Sequence, residues 1–241
     1  MQVDREDGRK ATQLRPLSCS RSVLHRAHGS ASWSQGDTKV LAAVYGPKAG
    51  TKKNEDPEKA CFEVIWKPRT GQAGKAEKEY EMIVKRTLQS ICILTINPNT
   101  TTSVIIQVVQ DDGALLVCAI NAVCAALVDA GIPMKYLAVA ICCCLADGGN
   151  IIMDPTKSEE QKMKAFSYLV FPNSIKSVLP EQLPLVKDEA KEHGILTSVT
   201  HGVMSVEEYL GCLERGRAAS AKLSDFLRRS LQSQLRKDLS G

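Results

Sequence analysis

Short apolar and small-residue runs, set off by polar turn formers, fill the first third of the chain and read as strands. They cover residues 17–24, 30–34, 38–45 and 61–67, with Gln35-Gly36-Asp37 as the turn between the second and third. Spacing then changes to that of a helix over residues 77–93. Met82, Ile83, Leu88 and Ile91 fall on its inward face, and Lys78, Lys85 and Gln89 on its outward face. Another strand pattern covers 102–109. After Gly113 an Ala-rich apolar stretch, 114–130, predicts a buried helix that stops at Gly131 ahead of Pro133. Residues 137–145 and 150–153 predict a hairpin around Asp147-Gly148-Gly149, and strands follow near 165–171, 174–178 and 194–203. Ser205 and Glu208 fit a capping box that opens a long helix to residue 236.

Segments 48–59, 71–74 and 180–193 are polar and rich in turn formers, so they read as exposed loops. Residues 1–13 read as a loose polar tail, leaving 14–241 as one domain. No internal repeat is visible. A strand-rich first half, two internal helices, further strands and a closing helix predict an α+β fold.

Composition narrows the class. The chain has 241 residues, 44% hydrophobic and 24% charged, with a net charge of +4. Residues 214–237 hold seven Lys/Arg against two acids, a pattern that serves either a solvated helix face or contact with phosphates. Of the nine cysteines, Cys92, Cys118, Cys124 and Cys142–Cys144 sit among apolar neighbours. They are expected as reduced core residues and not as a disulfide framework or zinc knuckle. MQVDREDGRK has no apolar core of a secretory leader, and the longest apolar run, 137–146, is too short for a bilayer, so no membrane role is expected. No phosphate-loop or dinucleotide fingerprint is present, and the histidines show no metal or triad spacing.

The segments GDTKVLAAVYGPK, LVDAGIPM and IMDPT, in that order, resemble the ribonuclease PH family over roughly residues 15–235. The resemblance implies a single ribonuclease PH-like domain of mixed sheets packed with helices, with a long C-terminal helix. It also implies work on RNA 3′ ends, as a subunit of the RNA exosome ring in 3′→5′ processing and degradation. Related ring subunits are the implied partners, a homodimer the implied state of the isolated chain, and nucleus, nucleolus and cytoplasm the implied locations.

The resemblance also points to site residues. Asp154 and Glu160, six apart after a strand, match a catalytic acid pair that would hold Mg²⁺ or Mn²⁺. By spacing alone, Asp154 could instead cap a short helix and Glu160 be a surface acid. The family holds inorganic phosphate with a Thr and an Arg at the head of the apolar helix. Here those positions are Leu115 and Leu116, leaving Ala114 and free helix N–H groups as the anion site. Arg86 matches a second phosphate-binding Arg, or else is an exposed arginine paired with Glu79 or Glu81. Lys67, Arg69, Lys75, Lys78 and Lys85 form a basic surface suited to nucleic-acid phosphates, or a solubilising loop. Trp33, Trp66 and Tyr80 are the candidates for base stacking or for the core.

Three functions are therefore expected to compete. One is an RNA-guiding exosome subunit with a partly retained nuclease site. Another is a self-standing dimeric nuclease acting on RNA by phosphorolysis, or on RNA or DNA by metal-dependent hydrolysis. The third is an inert structural subunit.

Overall fold

The structure, a computed structural model, describes residue 5 and residues 7–50, 56–146, 148–173 and 194–240. One sheet contains β1 (Leu17–Arg21), β2 (Gly29–Gln35), β3 (Thr38–Ala49), β4 (Cys61–Lys67) and β5 (Thr100–Gln110). Its order is β1-β2-β3-β5-β4, antiparallel except for the β4–β5 pair. A parallel pair needs a crossover, and α1 (Lys75–Ile91) is part of it. The second sheet is antiparallel, in the order β7-β6-β8-β9, from β6 (Ala138–Leu145), β7 (Ile151–Met153), β8 (Ala165–Pro172) and β9 (Thr197–Gly202).

Helix α2 (Leu115–Asp129) lies between the sheets, against β2 and β3 on one side and β6 on the other. Every residue from Leu116 to Leu127 is buried, as an all-round apolar helix requires. The polar exception, Asn121, donates to the Ala140 carbonyl at 3.1 Å and accepts from its N–H at 2.8 Å. That satisfies a buried amide that would otherwise be costly. The short α3 (Lys157–Glu160) follows β7, and α4 (Val206–Ser240) covers β6 and β8. The capping box at its start forms: Ser205 N–H donates to Glu208 at 2.6 Å, and Glu208 N–H to Ser205 Oγ at 3.2 Å.

The α+β architecture and the core cysteines are as expected. No cysteine is in a disulfide, and Cys142, Cys143, Cys144 and Cys212 are buried. Burial pushes the Cys92 thiol up to about 12 and the Cys124 thiol to about 11, so neither is a nucleophile at neutral pH. Two expectations are corrected. Met82 does not face inward on α1: it is 56% exposed, and Val84 takes the buried position. The helix rests on a sheet at one side only, so an apolar residue one step off the buried stripe faces water. Nor are residue 5 and residues 7–13 a loose tail: Arg5 is buried, and the Ala11 carbonyl accepts the Met153 N–H at 2.8 Å. The expected strand at 174–178, the loop at 180–193 with His193, and Asp147 lie outside the described residues.

Candidate functional site

The site forms where the end of β5, the turn after β7 and the N-terminal stretch meet the head of α2. Asp111-Asp112-Gly113 leads from β5 towards the helix. Gly113 has φ +84, and a Cβ there would lie 2.6 Å from the Thr156 carbonyl carbon and 2.7 Å from the Lys157 nitrogen. Glycine therefore lets two backbones touch. Ala114 follows at φ 52, and its N–H donates to Glu160 Oε1 at 2.7 Å.

Glu160 is presented by α3. Asp154, also at φ 52, turns the chain out of β7. Thr156 then caps α3: it donates its N–H to Glu159 Oε2 at 2.8 Å and accepts from the Glu159 N–H at 3.4 Å. Burial pushes the Glu160 carboxyl above the ordinary range. The Ala114 N–H and Lys157 oppose that rise, and Asp111 adds to it. Lys157 is ion-paired with Asp111. Tyr80 comes from α1, half-buried, with its ring 5.2 Å from that of Trp66. Burial raises its hydroxyl pKa; that hydroxyl is hydrogen-bonded to Tyr168 and within electrostatic reach of Glu160, Asp111 and Lys157.

Asp154 is placed differently from the expected metal ligand. It is fully buried. Its Oδ2 accepts the Arg15 N–H at 2.7 Å, and its Oδ1 accepts from Arg15 Nε at 3.0 Å and Nη2 at 2.7 Å. Arg9 Nη1 lies 3.6 Å from Oδ2. Arg15 goes on to donate to the carbonyls of Asp112 at 2.6 Å and Gly113 at 3.2 Å. Mg²⁺ binds carboxylate oxygens at about 2.0–2.1 Å with strict geometry. Oxygens committed to a guanidinium and a backbone N–H do not offer that, so Asp154 and Glu160 do not fit a shared ion. Among the described residues no cluster of three or more His, Cys, Asp or Glu could hold a metal.

The anion site is altered as well. Leu116 is fully buried and Leu115 half-buried, so neither gives a polar group to a phosphate. The Ala114 N–H, expected to meet phosphate, donates to Glu160 instead. Lys67, Arg69, Lys75, Lys78, Lys85 and Arg86 are all exposed. Lys75, Lys78, Met82 and Arg86 follow one another at three- and four-residue steps and so share one stripe of α1. Lys75, Lys78, Glu79 and Met82 line an open groove of about 660 Å³. Glu81 is not the partner of Arg86: it accepts from the Trp66 N–H at 2.8 Å and from Lys78 at 3.0 Å. Trp33 and Trp66 are buried. The site's additional members, Arg5, Arg15, Asp111 and Lys157, escaped the sequence reading. The one signal was three arginines, at 5, 9 and 15, within a polar stretch that had no visible use for them.

Comparison with known proteins agrees with this architecture. Residues 13–133 match the family described as 3′ exoribonuclease family, domain 1. The protein named Exosome complex exonuclease RRP46 homolog of Arabidopsis thaliana is 73% identical over 232 residues, covering 96% of this chain and 97% of that one. Its namesake in Oryza sativa subsp. japonica is 64% identical over 234 residues, covering 97% and 98%. The crystal structure of rice Rrp46 has a TM-score of 0.85 at 62% identity, spanning 95% of this chain and 100% of that chain. With a family match over half its length, and relatives alike almost from end to end, the chain belongs to the 3′ exoribonuclease family, the ribonuclease PH family its sequence resembles.

Proposed function

We propose that the chain is a ring subunit of the RNA exosome that holds RNA along α1 and leads it past Glu160 during 3′→5′ processing and degradation. The observation that carries this reading is the exposed stripe Lys75, Lys78 and Arg86 on the helix whose Tyr80 lies within electrostatic reach of Glu160. Lysine and arginine bind backbone phosphates without reading bases, and counterion release makes that binding salt-dependent. Lys67, Arg69 and Lys85 extend the same basic surface. The near full-length relatives named as exosome exonuclease homologs support the assignment to the ring. Its partners are then related ribonuclease PH-like subunits, with a second copy of this chain when it is alone. Its places of work are nucleus, nucleolus and cytoplasm.

Phosphorolysis through this site lacks the arginine contact to inorganic phosphate, and charge-assisted bonds of that kind contribute about 1.5–3 kcal/mol each. What remains is Glu160, whose raised carboxyl pKa suits proton exchange nearer neutral pH. That observation favours a second reading, a residual nuclease. Contacts made only to phosphates need no 2′-OH, so DNA would be accepted with RNA.

The test is cleavage of single-stranded RNA and DNA by the purified chain, with phosphate or with Mg²⁺ or Mn²⁺ alone, and Glu160→Gln as control. Salt-sensitive RNA binding with little or no cleavage supports the guiding subunit. Cleavage that disappears in Glu160→Gln supports the residual nuclease, and nucleoside diphosphate products would mark it as phosphorolytic. Absence of salt-sensitive binding overturns the proposal.

A further inference from the structure

The N-terminal arginines converge on the two backbone turns that bring Glu160 and Ala114 together. The Arg5 side chain is 0% exposed. Its Nε and Nη2 donate to the two carboxylate oxygens of Glu159 at 2.8 and 2.6 Å. Its Nη1 and Nη2 donate to the carbonyls of Met153 at 2.9 Å and Asp154 at 3.0 Å. Arg5 therefore grips both the turn that leads into α3 and the residue beside Glu160. Arg15 ties that same turn, through Asp154, to the opposite wall, through the carbonyls of Asp112 and Gly113, the two residues before Ala114. The contact held between these two grips is the 2.7 Å bond from Ala114 N–H to Glu160.

α3 has four residues, too few for its own hydrogen bonds to fix its direction. Something outside the helix must aim Glu160. A buried guanidinium is tolerated only where its N–H groups are met by acceptors. All four side-chain hydrogen bonds of Arg5 go to the turn carrying Glu160 and to Glu159, beside a looser 3.9 Å ion pair with Asp7; a solubilising tail has no reason to make them.

We infer that Arg5 and Arg15 are positioning residues, and that together they form a clamp without which Glu160 is not held against the Ala114 N–H. The functional part of this inference rests on Glu160 being the acting acid of the proposed site. The geometric part can be read without any activity.

The experiment uses the full chain and its Arg5→Ala and Arg5→Lys variants. Amide hydrogen exchange at Ala114 is followed by NMR. Release of the clamp in Arg5→Ala should speed Ala114 exchange by roughly tenfold or more relative to the rest of α2. Arg5→Lys should restore part of the protection. Where the parent cleaves RNA, kcat should fall in Arg5→Ala while KM changes little.

An unchanged Ala114 exchange rate in folded Arg5→Ala overturns the clamp. Should Arg5→Ala fail to fold, Glu159→Gln removes the charge that Arg5 grips while keeping the side-chain shape. Its Ala114 exchange rate then decides in the same way. Absence of cleavage in the parent would defeat the nuclease reading and leave the exchange results to decide the clamp.

Discussion

Replacing Asp154 by Asn separates a carboxylate that holds structure from one that does chemistry. The substitution keeps the volume and removes the charge. Arg15, itself buried, then faces a neutral amide. The amide can place an oxygen on only one side, so its NH₂ group meets either the Arg15 backbone N–H or the guanidinium, donor against donor. Removing one partner of a buried ion pair costs about 3–5 kcal/mol. For a domain of 150–250 residues each kcal/mol lowers the melting temperature by about 2–4 °C, so a fall of about 6–20 °C is expected.

Glu160→Gln is the contrast. Glu160 is half-buried, and a Gln oxygen can still accept the Ala114 N–H. The cost should stay under about 1.5 kcal/mol. Thermal and urea unfolding of both variants at pH 7, followed by circular dichroism, decides between them. A melting temperature for Asp154→Asn within about 2 °C of the parent would refute the reasoning, because Arg15 would then have no need of the charge. A large fall for Asp154→Asn beside a small one for Glu160→Gln would assign the two acids to different jobs.

Further consequences follow from the same geometry. Gly113→Ala adds a methyl 2.6 Å from the Thr156 carbonyl carbon at φ +84, so it should cost about 1–3 kcal/mol or more and shift the urea midpoint down. An unshifted midpoint would mean the two turns can part freely. Lys75→Glu with Lys78→Glu should weaken single-stranded RNA binding and flatten its dependence on log salt by roughly 0.7 for each phosphate no longer neutralised. An unchanged slope in a polarisation titration would remove the stripe from the RNA path. The Glu159 carboxyl is pulled up by burial, but Arg5, the Thr156 N–H and Arg9 together hold it below its ordinary 4.5. Its stabilising share is thus fully present above that value and lost as pH falls through the lowered one. Acid unfolding should therefore be steeper in the parent than in Glu159→Gln, and identical acid limbs would contradict the pairing.

Much of the fold was legible because burial imposes a period. β6 and α2 are covered on all sides and read as unbroken apolar runs, and the small and large residues of β2 alternate because one face meets α2. Met82 was misread because hydrophobicity alone does not say where the buried stripe of a one-sided helix ends. Asp154 was misread for another reason. Its spacing from Glu160 is local, but the direction of its side chain is set by a positive φ and by Arg15, 139 residues earlier in the chain. No pattern within one segment reports a pairing of that range. The same distance hid the N-terminal clamp: Arg5 and Glu159 are 154 residues apart.

The altered acid pair and the altered anion site have a common physical root at the head of α2. The helix start offers N–H groups to an anion, and the resemblance assigns that place to inorganic phosphate. With Leu115 and Leu116 there, no side chain draws a phosphate in, and the carboxylate of Glu160 takes the Ala114 N–H. An incoming phosphate would have to displace that carboxylate while meeting its negative charge. Asp111 adds a further negative charge close by, which its ion pair with Lys157 offsets. The leucines and the aim of Glu160 therefore belong to one arrangement: removing the phosphate's own ligands favours a protein anion in its place. Asp154, sealed behind Arg15, holds the walls of that arrangement, and in the proposed function Glu160 is the member of the pair left to meet RNA.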